Sequence, residues 1–196
     1  MNPAWLLVPM AYLLGSIPAG FLVVRWKKGI DIRTIGSGNI GATNVGRVLG
    51  KKWAVAVAAF DMAKGGCVLI LAMAAGILDP LVLGLSGAAA VIGHDYPLWL
   101  GFRGGKGVST TYGVVFVFDP FVALAAGVVW YVALKLTRYV SVASMVSLWS
   151  MPFFMLLFRE PPGYVLSCIL LAALTVIRHS DNIRKIREGT EGKVGR

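Results

Sequence analysis

Charged side chains are scarce in this sequence. Only 14% of the 196 residues are Asp, Glu, Lys or Arg, against 57% hydrophobic, a balance that excludes an ordinary soluble domain. Acidic residues are rarest, nine against 19 lysines and arginines. No group of aspartates falls at the helical spacing by which a CDP-alcohol phosphotransferase holds its metal, so neither a metal nor another cofactor is expected. The two cysteines, Cys67 and Cys168, lie in apolar runs without CxxC spacing. They are expected to be buried free thiols, neither bridged nor metal-bound. No GxSxG elbow offers a serine nucleophile. A separate basic domain is also missing, so the net charge of +10 does not indicate nucleic acid.

Long apolar runs are present instead. Seven runs predict an all-α integral membrane protein in one domain over residues 1–196, with seven transmembrane helices, the N-terminus outside and the C-terminus cytoplasmic. The first run, Pro3 to Val24, has no basic n-region and is followed by Arg25, Lys27 and Lys28, so it reads as a span and not as a cleaved leader. In this arrangement 17 of the 19 cations are cytoplasmic, with Lys64 in the membrane and Arg159 outside. The opposite orientation reverses the count, against the positive-inside rule. The runs ending at Gly93 and starting at Val108 are short, fourteen and eleven residues. At ~1.5 Å per residue they reach about 21 and 17 Å against a ~30 Å core, which predicts that the loop joining them lies below the membrane surface.

Asp61 and Lys64 interrupt the second run three residues apart. Either an interfacial helix precedes a shorter span, or one long helix carries a buried ion pair. Ser141, Ser144, Ser147 and Ser150 repeat every third residue in a later run, a polar stripe whose hydroxyls are expected to bond neighbouring helices.

Three polar stretches remain, and the predicted topology brings them to one face. Residues 29–52 hold Ser37, Asn39, Thr43, Asn44 and Arg47 among glycines, a set of hydroxyls, amides and one planar guanidinium suited to phosphate oxygens. Between residues 93 and 113, Gly104, Gly105 and Gly107 flank Lys106. Such a turn lets backbone N–H groups converge on an anion while the ammonium neutralises it. The spacing is not that of a nucleotide P-loop, because Gly101 to Gly105 encloses three residues and Gly107 replaces the hydroxyl residue. The third stretch, near the C-terminus, carries His179 and Asn182. Together they predict an anion-handling site, either an enzyme's or that of a transporter for organic phosphates.

The stretches SGNIGATNVGR, GHDYPLWLGFRGGKGVST and RHSDNIRKIREGTE, in this order and spacing, resemble the bacterial PlsY family over essentially the whole chain. The resemblance implies a multi-pass enzyme of the bacterial inner membrane with its active site on the cytoplasmic side. It would transfer a fatty acyl group from acyl phosphate, drawn from the bilayer, to glycerol 3-phosphate from the cytoplasm, giving lysophosphatidic acid and inorganic phosphate. Membrane lipid is its remaining partner. On the family pattern, Ser37, Arg47, Lys106, His179 and Asn182 are the expected catalytic residues. Asn39, Thr43, Asn44, Gly104, Gly105 and Gly107 are expected to bind substrate, with Ser141 and Ser144 in a supporting position.

The His-x4-Asp pair of another glycerol-phosphate acyltransferase class is absent, since Trp99 and Arg184 stand where the aspartate would follow His94 and His179. An acyl phosphate is already a mixed anhydride. Direct attack by a glycerol hydroxyl is therefore expected, without an acyl-enzyme. Either His179 or the phosphate of glycerol 3-phosphate, with a second pKa near ~6, is available to take the proton, and the substrate-assisted route is preferred.

Overall fold

The computed structural model describes residues 2–195. These residues form α1 (Leu7–Gly15), α2 (Ala19–Lys28), α3 (Ala42–Leu49), α4 (Lys51–Ala74), α5 (Pro80–Asp95), α6 (Val108–Phe118), α7 (Pro120–Thr137), α8 (Val140–Leu157), α9 (Pro162–Arg178) and α10 (Ser180–Arg187). No strand occurs among the described residues. Five helical segments are long and apolar enough to cross a membrane, and α9 with α10, bent by 51°, makes a sixth candidate. The remaining apolar helix, α6, has only 11 residues.

Helix boundaries follow local chemistry. Asp79 and Asp119 each precede a proline and cap the next helix: Asp79 accepts from the N–H of Leu81 at 2.8 Å, and Asp119 from that of Phe121 at 2.6 Å. Proline in the first turn needs no N–H partner, so these two turns are sharp. Proline acts differently at Pro18, where it interrupts the first apolar run and separates α1 from α2. The break takes the Ile17 carbonyl out of the regular helical ladder, and it accepts from Ala19 N–H at 3.2 Å and from Lys64 Nζ at 2.8 Å.

The second apolar run is one helix, α4, so the long-helix alternative holds. Lys64 Nζ lies 2.8 Å from Asp61 Oδ1 inside the bundle. Helix pairs meet where small residues remove bulk. A side chain at Gly15 would enter the Ala90 backbone of α5, and one at Gly113 the Met62 backbone of α4. In a bilayer such close approach supplies van der Waals contact where water cannot drive association. The outward faces are apolar, as with Phe121, Leu136 and Phe153, and suit lipid. Cys67 is a correction to the sequence reading: Cys168 is buried, but Cys67 is exposed, because it lies on the outward side of α4 while Lys64, Gly65 and Gly66 turn inward.

Candidate active site

The first polar loop is tied to its own chain. The buried Asn44 side chain donates to the carbonyls of Asn39 (2.9 Å), Ile35 (3.0 Å) and Ile32 (3.3 Å), and accepts from Ser37 N–H at 3.0 Å. Asn39 Oδ1 accepts from Gly41 N–H at 2.8 Å. Both asparagines thus spend hydrogen bonds on shaping the loop, and the Asn44 amide has no N–H left to donate to a ligand. Beneath them Val24, Ile32, Ile40, Val45 and Val57 form a small apolar core. Ser37, Thr43 and Arg47 are exposed on the loop's other side and line a cavity of about 1160 Å³.

The glycine-lysine loop forms another part of that wall. Gly104 N–H donates to Asp95 O at 3.2 Å and Gly105 N–H to His94 O at 2.9 Å, so these two amides anchor the loop on α5 instead of meeting an anion. Gly104 and Gly105 do not line the cavity, whereas Lys106 and Gly107 do. Gly107 is left-handed, with φ +69°, where the chain turns into α6. From the opposite side Arg178 fixes the carbonyls: its Nε lies 3.0 Å and its Nη2 2.8 Å from Gly105 O, with Gly104 O at 3.3 Å. Its guanidinium stacks on Tyr96, 4.6 Å from the ring centre. A trans peptide points its C=O and N–H in opposite directions, so Arg178 also turns the Lys106 N–H away from itself.

The third stretch closes over the other two. Lys106 Nζ donates to Asn182 Oδ1, and Asn182 Nδ2 donates to Glu191 Oε1 at 2.6 Å. Glu191 Oε1 also accepts from Ser141 at 2.8 Å. Burial pushes the Lys106 ammonium below its ordinary range, and the Glu191 carboxylate partly offsets this. Buried His179 bonds the Thr175 carbonyl through Nδ1 at 2.8 Å, leaving Nε2 as its remaining ring nitrogen. Residues 190–194 roof the cavity, held by Val194 N–H to Arg138 O at 2.9 Å and by Arg138 to the carbonyls of Val194 and Gly195.

The cavity also has apolar lining, from Ala58 and Met62 of α4, Val108 of α6, Gly127 of α7 and Val140 of α8. Two serines of the stripe bond neighbouring helices as expected, Ser144 accepting from Trp130 Nε1 at 3.3 Å and Ser147 bonding Tyr112. Ser150 instead donates to Ser147 O of its own helix, and Ser141 to Glu191 beyond α10. Ser141 and Ser144 touch the cavity, but their hydroxyls are engaged with protein.

The structure therefore gathers Ser37, Asn39, Thr43, Asn44, Arg47, Lys106, Gly107, Ser141, Ser144, His179 and Asn182 around one cavity and leaves Gly104 and Gly105 behind it. Sequence reasoning missed Arg178 and Glu191 as organisers of the site. Glu191 closes the RHSDNIRKIREGTE stretch, and its rarity as an acid beside so many cations was the available signal. Among the described residues no group of three or more His, Cys, Asp or Glu is placed to hold a metal.

The profile of the family described as Glycerol-3-phosphate acyltransferase matches residues 5–189. A protein of that name from Desulforamulus reducens is 44% identical over 94% of this chain and 92% of its own length. One from Thermus thermophilus is 44% identical over 97% and 94%. The crystal structure of PlsY, an integral membrane glycerol 3-phosphate acyltransferase in its glycerol 3-phosphate form, superposes with a TM-score of 0.93 at 42% identity, covering 99% of this chain and 96% of that one. Its lysophosphatidic acid form gives 0.91. An all-helical, multi-pass membrane chain with three polar stretches converging on one cavity, it belongs to the glycerol-3-phosphate acyltransferase family of PlsY.

Proposed function

We propose that the protein transfers a fatty acyl group from acyl phosphate to glycerol 3-phosphate, releasing lysophosphatidic acid and inorganic phosphate. The observation that carries this reading is the cavity itself. Its lining combines the polar Arg47, Lys106, His179 and Asn182 with the apolar Ala58, Met62, Val108 and Val140. A site lined by both cations and hydrocarbon suits a substrate with a phosphate head and an acyl tail. An organic-phosphate transporter has no use for the apolar lining.

In the proposed reaction, Lys106 and the Lys106–Gly107 backbone hold the phosphate of the acyl donor. Arg47, His179 and Asn182 hold glycerol 3-phosphate, with Ser37 and Thr43 orienting its oxygens. The terminal glycerol hydroxyl attacks the acyl carbon. An ester C–O bond forms, the acyl–phosphate C–O bond breaks, and phosphate leaves with the electron pair. The hydroxyl proton passes to the phosphate dianion of glycerol 3-phosphate. His179 is the weaker acceptor, since burial disfavours its protonated form and Lys106 and Arg178 place positive charge beside it. Developing negative charge meets Lys106 and Arg47, which supplies the electrostatic stabilisation the step needs.

The proposal includes one membrane-embedded acyltransferase domain with seven spans, α1 with α2 forming the first and the short α6 the fourth. The N-terminus is outside, and the Lys106 loop lies below the membrane surface and opens to the cytoplasm. The positive-inside bias of the cations supports this orientation in a bacterial inner membrane. Purified protein given glycerol 3-phosphate and palmitoyl phosphate is expected to form lysophosphatidic acid, and Lys106→Ala to abolish it. Equal activity with palmitoyl-CoA alone would overturn the donor assignment. Modification of an Arg103→Cys variant only from the outer side would overturn the topology.

A further inference from the structure

His94 belongs to the glycine-lysine stretch, yet the acyl-transfer scheme gives it no part. It is buried at the end of α5, lines the same cavity as Lys106, and contacts two charged residues of α4. Lys64 Nζ has three acceptors around it: Ile17 O at 2.8 Å, Asp61 Oδ1 at 2.8 Å and His94 Nδ1 at 2.9 Å. An ammonium has three N–H donors and no lone pair. Lys64 is ion-paired with Asp61 and has no lone pair, so at 2.9 Å it can only donate to His94 Nδ1, for which it is a closer partner than Asp61 Oδ1 at 3.4 Å, and Nδ1 is an acceptor. The imidazole proton must then reside on Nε2.

That nitrogen faces the loop. A methyl group at Gly105 would overlap His94 Nε2, so the ring edge lies directly against the Gly105–Lys106 backbone. Gly105 N–H is bonded to the His94 carbonyl, which fixes the loop and the ring in one unit. Among the described residues no protein group accepts from Nε2. A buried polar N–H without a protein acceptor at the rim of a cationic cavity is a donor awaiting an anionic ligand.

We propose that His94 Nε2–H donates a hydrogen bond to a substrate phosphate held at the Lys106 loop, and that Lys64, by occupying Nδ1, is the positioning residue that enforces this tautomer. The inference rests on the phosphate reading of the loop given above. It assigns the two histidines opposite roles. His179 gives its Nδ1 proton to Thr175 O and turns an accepting Nε2 to the cavity, whereas His94 gives its Nδ1 lone pair to Lys64 and turns a donating Nε2. It also gives a purpose to the helix break at Pro18. The Ile17 carbonyl takes one Lys64 proton, and the ion pair with Asp61 holds the ammonium against His94.

Two measurements test this. In protein labelled with ¹⁵N-histidine, the long-range ¹⁵N–¹H pattern reports each tautomer, and His94 is assigned by its loss in His94→Asn. The expected pattern is Nε2–H alone, with the Nε2 resonance shifting on addition of inorganic phosphate or glycerol 3-phosphate. An Nδ1–H pattern, or no shift with either anion, refutes the assignment.

The kinetic test uses amide geometry. His94→Asn keeps an acceptor near the Nδ1 position for Lys64 but removes the outer donor, and His94→Gln restores an N–H near the Nε2 position. Loss of one neutral donor to a phosphate is expected to raise KM roughly tenfold in His94→Asn, with kcat little changed and most of the effect recovered in His94→Gln. A rise for palmitoyl phosphate places the bond on the donor's phosphate, and a rise for glycerol 3-phosphate places it on the acceptor's. Unchanged KM for both substrates in His94→Asn, with Lys106→Ala still impaired in binding, overturns the role of His94 and leaves the loop intact. If Lys106→Ala binds both substrates normally, the phosphate reading of the loop itself falls.

Discussion

Arg178 offers the most demanding test of how the phosphate loop is built. Its guanidinium makes three contacts of 2.8–3.3 Å with the carbonyls of Gly104 and Gly105, and stacks on Tyr96. Hydrogen bonds with one charged partner are worth about 1.5–3 kcal/mol, and a partly desolvated cation–π contact about 1 kcal/mol. The two closest bonds share one carbonyl in a half-buried setting, so removal is expected to cost roughly 3 kcal/mol, concentrated in the loop. Arg178→Met frees the Gly105–Lys106 peptide to rotate, which disturbs the Lys106 N–H and ammonium together. Misplacing a reacting group by about 1 Å is worth about 100-fold, so kcat/KM is expected to fall by about two orders of magnitude. Arg178→Lys keeps the charge but offers no fork for two carbonyls, and about tenfold loss is expected. The assay is lysophosphatidic acid formation in detergent, beside thermal unfolding to confirm an intact bundle. If folded Arg178→Met retains wild-type kcat/KM, the loop is held by its α5 anchors alone and the argument from Arg178 is wrong.

Three further outcomes follow from the same contacts. Because burial holds the Lys106 ammonium below its usual range, its proton is lost earlier as pH rises. The kcat/KM for palmitoyl phosphate should therefore decline on the alkaline side before the ordinary lysine value of about 10.4, and a Lys106→Arg variant should lose that limb even if it is slower overall. Glu191→Gln keeps an acceptor for Ser141 and Asn182 while removing the charge, and should cost less than tenfold in rate. Glu191→Ala leaves both donors unpaired and unlatches the roof over the cavity, so it should cost more and expose residues 190–194 to protease. Asn44→Ala strips four hydrogen bonds from the first loop and should destabilise it by about 2–3 kcal/mol, while Asn44→Asp sets a carboxylate against three carbonyls and should be worse, both seen as faster amide exchange over residues 32–41.

Much of this protein was legible in one dimension because the bilayer imposes a simple rule: a long apolar run means a helix. Asp79-Pro80 and Asp119-Pro120 read as turns and are turns, since cap and proline act within four residues. Lys106, Arg47, His179 and Asn182 were likewise legible as candidates by residue type, and they line one cavity. Which polar groups remain free was not visible. Asn44 appears as a ligand in the sequence and is a staple in the structure, because its partners Ile32, Ile35 and Asn39 lie on a backbone that folds around it. Gly104 and Gly105 appear as anion donors, but α5 takes their N–H groups.

The remaining decisions were made across the bundle. Arg178 and Gly105 are 73 positions apart, Ser141 and Glu191 50, and Lys64 and His94 30, and no local pattern encodes such meetings. Cys67 and Lys64 sit one turn apart on α4, one facing outward and the other buried, a difference set by which neighbours α4 packs against. The sequence by itself determined the membrane class, the helix ends and the supply of cations, because hydropathy and capping act over a few residues. Only the tertiary structure decided which donors stay free for substrate, because a hydrogen bond is spent once and its partner is chosen by packing.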